Sequence, residues 1–149
     1  MKSIYKHTNI IARDWRALAR FYQDVFSCVL LQPERDLSGT WLDKGTDIPG
    51  ARISGAHLRL PGCGENGPTL EIFQYSENER RPKTAANREG INHLAFEVDD
   101  VEQAMADVLN HGGSKLGDVT SSEVEGIGYL TFVYLADPEG NIIELQAWK

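Results

Sequence analysis

The 149-residue sequence lacks any apolar run approaching the ~18 residues needed to cross a membrane as a helix. No charged-then-apolar leader precedes Ile4, so a cytoplasmic protein without membrane association is expected. Cysteine is scarce: Cys28 and Cys63 form neither a CxxC pair nor a disulfide framework. Neither has an activating neighbour in the sequence, which argues against a thiol nucleophile. Basic residues are the minority sign, 15 against 22 acidic, and the formal charge of -7 argues against a nucleic-acid partner, which would want a basic face. What is present is ordinary for a soluble globular chain, 41% hydrophobic and 25% charged. A chain of this length buries roughly two-thirds of its unfolded surface and needs no staple. One compact domain, or two small halves sharing a core, is expected.

Two stretches answer each other. Ile91–Val98 reads Ile-Asn-His-Leu-Ala-Phe-Glu-Val, and Lys6–Ala12 reads Lys-His-Thr-Asn-Ile-Ile-Ala. Each is a short β-type run with a histidine near its start, leading through an aspartate (Asp14, Asp100) into a helical pattern. Two further runs pair off, Thr69–Tyr75 and Ile142–Trp148, each with one glutamate among apolar residues. The chain reads as one unit written twice: a first module over about 3–75, a charged linker over 76–90 and a second module over 91–149.

In the first module the pattern predicts a strand over 3–12, a helix to about residue 26 with Trp15, Leu18, Phe21, Tyr22 and Val25 at helical spacing, and a strand at Cys28–Leu31. Residues 33–50 show no period and are expected to form a binding loop or lid carrying Trp41. Strands over 51–60 and 69–75 follow. The second module repeats the order, with a strand at 91–98, a helix from about 100 to 111 stopped by Gly112-Gly113, a short strand near 114–119, a loop at 120–128, and strands at 129–136 and 141–147. Asp137–Asn141 is turn chemistry. Four strands and one helix cannot cover both faces of a sheet, so the uncovered faces are expected to curl round a shared cavity.

Side chains alternate along a strand. With Leu94, Phe96 and Val98 facing the helices, His93, Ala95 and Glu97 take the other face, where Glu144 also falls. The same alternation puts His7, Glu71 and Phe73 on the open face of the first module. A single strand histidine is usually a hydrogen-bonded structural residue. Two histidines and two glutamates at matching places in a duplicated unit point instead to a divalent ion held by mixed nitrogen and oxygen donors, with positions left for substrate. His57, on the 51–60 strand, either faces that cavity or lies at the surface.

The strand–helix start His93–Val101 and the run Asp-Pro-Glu-Gly-Asn-x-x-Glu-Leu at Asp137–Leu145 resemble the vicinal oxygen chelate superfamily, which includes glyoxalase I, methylmalonyl-CoA epimerase, extradiol dioxygenases and the fosfomycin and bleomycin resistance proteins. The resemblance spans nearly the whole chain. It implies an α+β fold of two βαβββ modules in an open eight-stranded barrel around a metal cavity, often as a homodimer. It also implies metal ligands at His7, Glu71, His93 and Glu144. A complete His/Glu/His/Glu set resembles a lyase or isomerase, such as lactoylglutathione lyase or methylmalonyl-CoA epimerase. There a proton next to a carbonyl is abstracted while the metal stabilises the enediolate oxygens.

Glu144 is the first choice of base and Glu71 the second. Nickel, cobalt, zinc, manganese or magnesium is expected ahead of iron. The substrate is expected to be a small 2-oxo compound, a thiol adduct or an acyl-CoA, touched by Trp41, His57, Phe73 and Glu97. Two departures count against a narrower name. The 51–60 strand has no glutamate to act as the epimerase's opposite base, and no convincing set of glutathione-contacting residues can be matched. The linker cations Arg80, Arg81, Lys83 and Arg88 either hold phosphates or form a solvated connection. The rival functions are thiol transfer to an antibiotic, iron-dependent ring cleavage, and sequestration of a drug or metabolite without catalysis.

Overall fold

Asp14 opens the first helix because its carboxylate accepts hydrogen bonds from the Arg16 and Ala17 backbone N–H groups, two donors a helix start leaves unpaired. Helix α1 (Trp15–Phe26) then buries Trp15, Leu18, Ala19, Phe21, Tyr22 and Phe26 along one stripe, and Ser27 closes it in the left-handed conformation. In the computed structural model, which describes all 149 residues, α1 belongs to the first of two units, Met1–Arg80, and the second is Arg81–Lys149.

Unit one is a four-stranded sheet of β1 (His7–Ile11), β2 (Val29–Ser38), β3 (Arg52–Arg59) and β4 (Thr69–Tyr75), in the order β1-β4-β3-β2. Strand β1 runs parallel to β4, and the other pairs are antiparallel. Ala56 and Leu58 of β3 and Leu70 and Ile72 of β4 are fully buried and face α1. Their sequence neighbours therefore occupy the opposite face of the sheet. Gly55 stands on that opposite face: a Cβ there would lie 2.4 Å from the Phe73 ring and 2.1 Å from the Ile72 carbonyl, so only glycine lets Phe73 lie across β3.

The stretch 33–50, expected to lack structure, does not. Strand β2 continues to Ser38 past an irregularity between Leu31 and Arg35, and a short helix α2 (Thr40–Thr46) follows. Leu42 is buried in a small cluster with Ala51 and Ile53, and the Asp43 carboxylate accepts the Ala51 N–H. A single-sided helix of two turns offers one buried residue, too few for a period to show.

Unit two holds β5 (His93–Glu97), α3 (Val101–Asn110), β6 (Ser114–Lys115), β7 (Thr120–Val124), β8 (Gly128–Ala136) and β9 (Ile142–Trp148). Its sheet has the order β5-β9-β8-β6, with β7 pairing β8. Asp100 caps α3 by accepting the Gln103 N–H, as Asp14 does for α1. The fold is thus the expected α+β pair of modules, with nine strands rather than eight. Only Ser114 and Lys115 of the 114–119 segment form a strand, and the expected 120–128 loop contains β7. Four of the five β7 residues are exposed, so no apolar alternation marked it.

Candidate metal centre

The β3–β4 hairpin registers His57 against Glu71, and the parallel β1–β4 pair places Asn9 against Glu71 and His7 against Thr69. All five side chains share the face opposite α1. Glu71 is 9% exposed and is held from several sides: Asn9 Nδ2 donates to Oε2 at 2.8 Å, His57 Nε2 lies 2.9 Å from Oε1, and His7 Nε2 lies 3.5 Å from Oε2. The imidazoles of His7 and His57 meet edge-to-face at 5.5 Å, and one donor atom from each of His7, His57 and Glu71 falls within 4.8 Å of the others. Two imidazoles and a carboxylate converging this closely suit a divalent transition metal.

Burial pushes the His57 pKa below its ordinary value, against the pull of Glu71, and the nearby charges of Arg35 and His7 push it the same way. A neutral imidazole is the form that ligates. His57 Nδ1 lies 2.9 Å from Thr69 Oγ1, a hydroxyl that can donate to or accept from that nitrogen and so serves either tautomer. Phe73 meets the His57 ring edge-on, which limits its rotation.

In unit two the pattern recurs. His93 Nε2 lies 2.9 Å from Glu144 Oε2, and Asn92 Oδ1 lies 3.0 Å from His93 Nδ1. Tyr134 stands against Glu144 in the β8–β9 register, as His57 stands against Glu71, and its ring lies 5.0 Å from that of His93. Burial, with the Glu144 charge, raises the Tyr134 pKa, so the phenol keeps its proton.

The family pattern of the glyoxalase-like domain matches residues 7–146, from the first histidine of the cluster to two residues past Glu144. The chain belongs to the glyoxalase-like domain family. With that family goes the vicinal oxygen chelate fold, shared with solved structures of low identity. A glyoxalase family protein of Bacillus cereus superposes with a TM-score of 0.75 at 17% identity, covering 99% of this chain and 94% of that one. A glyoxalase family protein of Enterococcus faecalis gives 0.58 at 24%, covering 97% of each chain. A glyoxylase/bleomycin resistance protein/dioxygenase domain from Frankia sp. EAN1pec gives 0.61 at 17%, covering 100% of each. In sequence, the uncharacterized protein YaeR of Escherichia coli (strain K12) is 28% identical over 144 residues, covering 93% of this chain and 92% of its own.

In this glyoxalase-like chain the expected ligands form two within-unit pairs, His7 with Glu71 and His93 with Glu144. His57 joins the first pair closely enough to offer a third ligand atom, a placement that strand alternation alone does not give it. A signal for it exists in the sequence: His57 and Glu71 are equidistant from Gly64, the centre of the Gly-rich hairpin loop, and so face each other across it.

Of the other expected contacts, Phe73 borders the cluster. Trp41 is 61% exposed on α2, its indole N–H donated to the Ser38 carbonyl, and Glu97 is exposed at the end of β5. The linker cations are partly committed to structure: Arg81 donates to Asn141 Oδ1 at 2.6 Å, and Arg88 donates to the Lys83 carbonyl. No helix is long and apolar enough to cross a membrane.

Proposed function

We propose that this glyoxalase-like protein is a divalent-metal-dependent lyase or isomerase that moves a proton next to the carbonyl of a small 2-oxo compound, thiol adduct or acyl thioester. The observation that carries the reading is the convergence of His7, His57 and Glu71 within 4.8 Å. These three would hold the ion. His93 and Glu144 are proposed as donors on the family resemblance alone. A bound divalent ion supplies Lewis-acid stabilisation of the oxygen that gains charge as the carbon loses its proton.

The chain's own groups divide the remaining work. Glu71 is held at both oxygens, by Asn9 and His7 at one and by His57 at the other, which suits a positioned donor. Glu144 has one oxygen on His93 and the other without a hydrogen-bond partner in the chain, which favours it as the base that takes the proton. Tyr134, protonated beside Glu144, is placed to donate a hydrogen bond to a substrate oxygen in that half.

The deciding experiment combines elemental analysis with assays on the hemithioacetal of methylglyoxal and on methylmalonyl-CoA after reconstitution with nickel, cobalt, zinc, manganese or magnesium. Turnover with a redox-inert ion, abolished in Glu71→Ala and in Glu144→Ala with circular dichroism unchanged, is the expected result. Full activity in both variants refutes the assignment of the carboxylates.

A second reading has its own support, because two histidines and one carboxylate are also the donor set of non-haem iron oxygenases. Oxygen uptake with catechols by the iron-loaded protein, and none of the isomerase activities, would favour ring cleavage. A cytoplasmic homodimer is part of the first proposal. Size-exclusion chromatography at assay concentration reads the oligomeric state.

A further inference from the structure

We propose that Arg35 and Arg59 form a subsite for an anionic group, a carboxylate or a phosphate, on the sheet face that carries His7, His57 and Glu71. The inference deepens the lyase or isomerase reading by giving the substrate a negative charge, and it rests on that reading only for the chemistry after binding. Strand alternation fixes the face. Ala56 and Leu58 of β3 are buried toward α1, so His57 and Arg59 point the other way. Across the β2–β3 ladder Arg35 registers against Gly55 and Val29 against Arg59, so the two arginines fall on either side of His57. Arg35 is close enough for its charge to be felt at the His57 imidazole.

Neither guanidinium has an acidic partner. Arg35 donates to the Pro33 carbonyl, and the buried Nε of Arg59 finds no hydrogen-bond acceptor at all. A buried donor left unmet is costly, and the groups that meet it best are planar or tetrahedral anions that accept two parallel N–H bonds from the guanidinium fork. Two other arginines show what such a fork takes when an acceptor is in reach: Arg16 holds Glu34 through two bonds of 3.0 and 2.7 Å, and Arg81 holds Asn141. Within the cluster, Glu71 is the one carboxylate and is already shared by two imidazoles, so it does not neutralise the arginines. A protein of formal charge -7 thus presents a locally cationic patch beside its candidate metal centre, where a substrate's anionic end would be drawn and oriented.

The test is isothermal titration of the chelator-treated full chain at low ionic strength with pyruvate, with inorganic phosphate and with neutral hydroxyacetone. The titrations are repeated after addition of Mn2+. The expected result is saturable binding of at least one anion and none of hydroxyacetone. The tighter of the two anions identifies whether a carboxylate or a phosphate is preferred. Arg59→Gln should weaken the anion about tenfold or more, and Arg59→Lys should recover part of the loss because charge returns without the fork. Arg35→Gln should weaken it about threefold or more.

No anion binding by the wild type, or equal affinities in wild type and Arg59→Gln when Arg59→Lys also matches, overturns the proposal. Mn2+ affinity measured in parallel separates the two ideas. If Glu71→Gln binds Mn2+ like the wild type while Arg59→Gln loses the anion, the metal reading fails and the subsite stands. The converse pattern removes the subsite alone.

Discussion

Replacing Glu71 by glutamine keeps the shape of the side chain and removes its charge. In the metal-free protein Glu71 makes two short contacts, with Asn9 at 2.8 Å and His57 at 2.9 Å. Bonds to a charged acceptor contribute about 1.5–3 kcal/mol each against about 0.5–1.5 for neutral ones, so the substitution should cost about 1–3 kcal/mol. For a chain of this size that lowers Tm by roughly 2–12 °C. The larger effect concerns the ion. At a free metal concentration of about a hundred times Kd, binding adds about 2.7 kcal/mol of stability to the wild type. Losing the one anionic donor of the His7–His57–Glu71 set should raise Kd at least about 100-fold, since even residues behind the ligands matter 10–100-fold. The metal-induced gain then shrinks to a few tenths of a kcal/mol. Thermal scans with and without zinc, nickel or manganese read both effects. A glutamine variant whose metal-induced shift equals that of the wild type would refute a metal centre of these three residues.

Three further outcomes are expected. Burial holds the folded His57 pKa below the ~6.5 of free histidine, so between those values the unfolded chain binds a proton that the folded chain does not. Stability present above pH ~6.5 should therefore be lost as pH falls toward the folded value, and metal-free His57→Gln should show a shallower decline in Tm from pH 8 to 5; parallel curves would exclude this origin. Burial, helped by Cys63, pushes the Cys28 thiol up to about 11, whereas Cys63 is exposed, so a thiol reagent at pH 8 should modify Cys63 alone until the chain unfolds. Two rapidly reacting thiols would contradict that environment. Asp137 accepts the Glu139 and Asn141 backbone N–H groups at 2.9 Å each and Asn141 Nδ2 at 2.7 Å, and Asp137→Ala should cost about 2–4 kcal/mol in urea unfolding.

Asp137 also links turn chemistry to the site. The Asp137–Asn141 turn sets the β8–β9 register, and that register puts Tyr134 opposite Glu144. A one-residue slip would send Glu144 to the helix face. The turn contributes no chemistry, but it decides which residues meet.

The local patterns of this chain are legible without any fold. The matching aspartate caps at Asp14 and Asp100, the apolar stripe of α1 and the single glutamate in each of β4 and β9 all sit within short windows, where periods of 3.6 and 2 dominate. The repetition itself is equally plain, and with it the pairs His7–Glu71 and His93–Glu144. Tertiary structure decided what depends on partners distant in sequence. Helix α2 exists because Leu42 finds Ala51 and Ile53, and β7 exists because β8 completes its hydrogen bonds. His57 joins the His7–Glu71 pair because the hairpin register brings it to Glu71. That the Nε of Arg59 is buried without an acceptor is likewise visible only in the assembled sheet. Periodicity reports which face a residue occupies, and only the assembled sheet determines who shares that face.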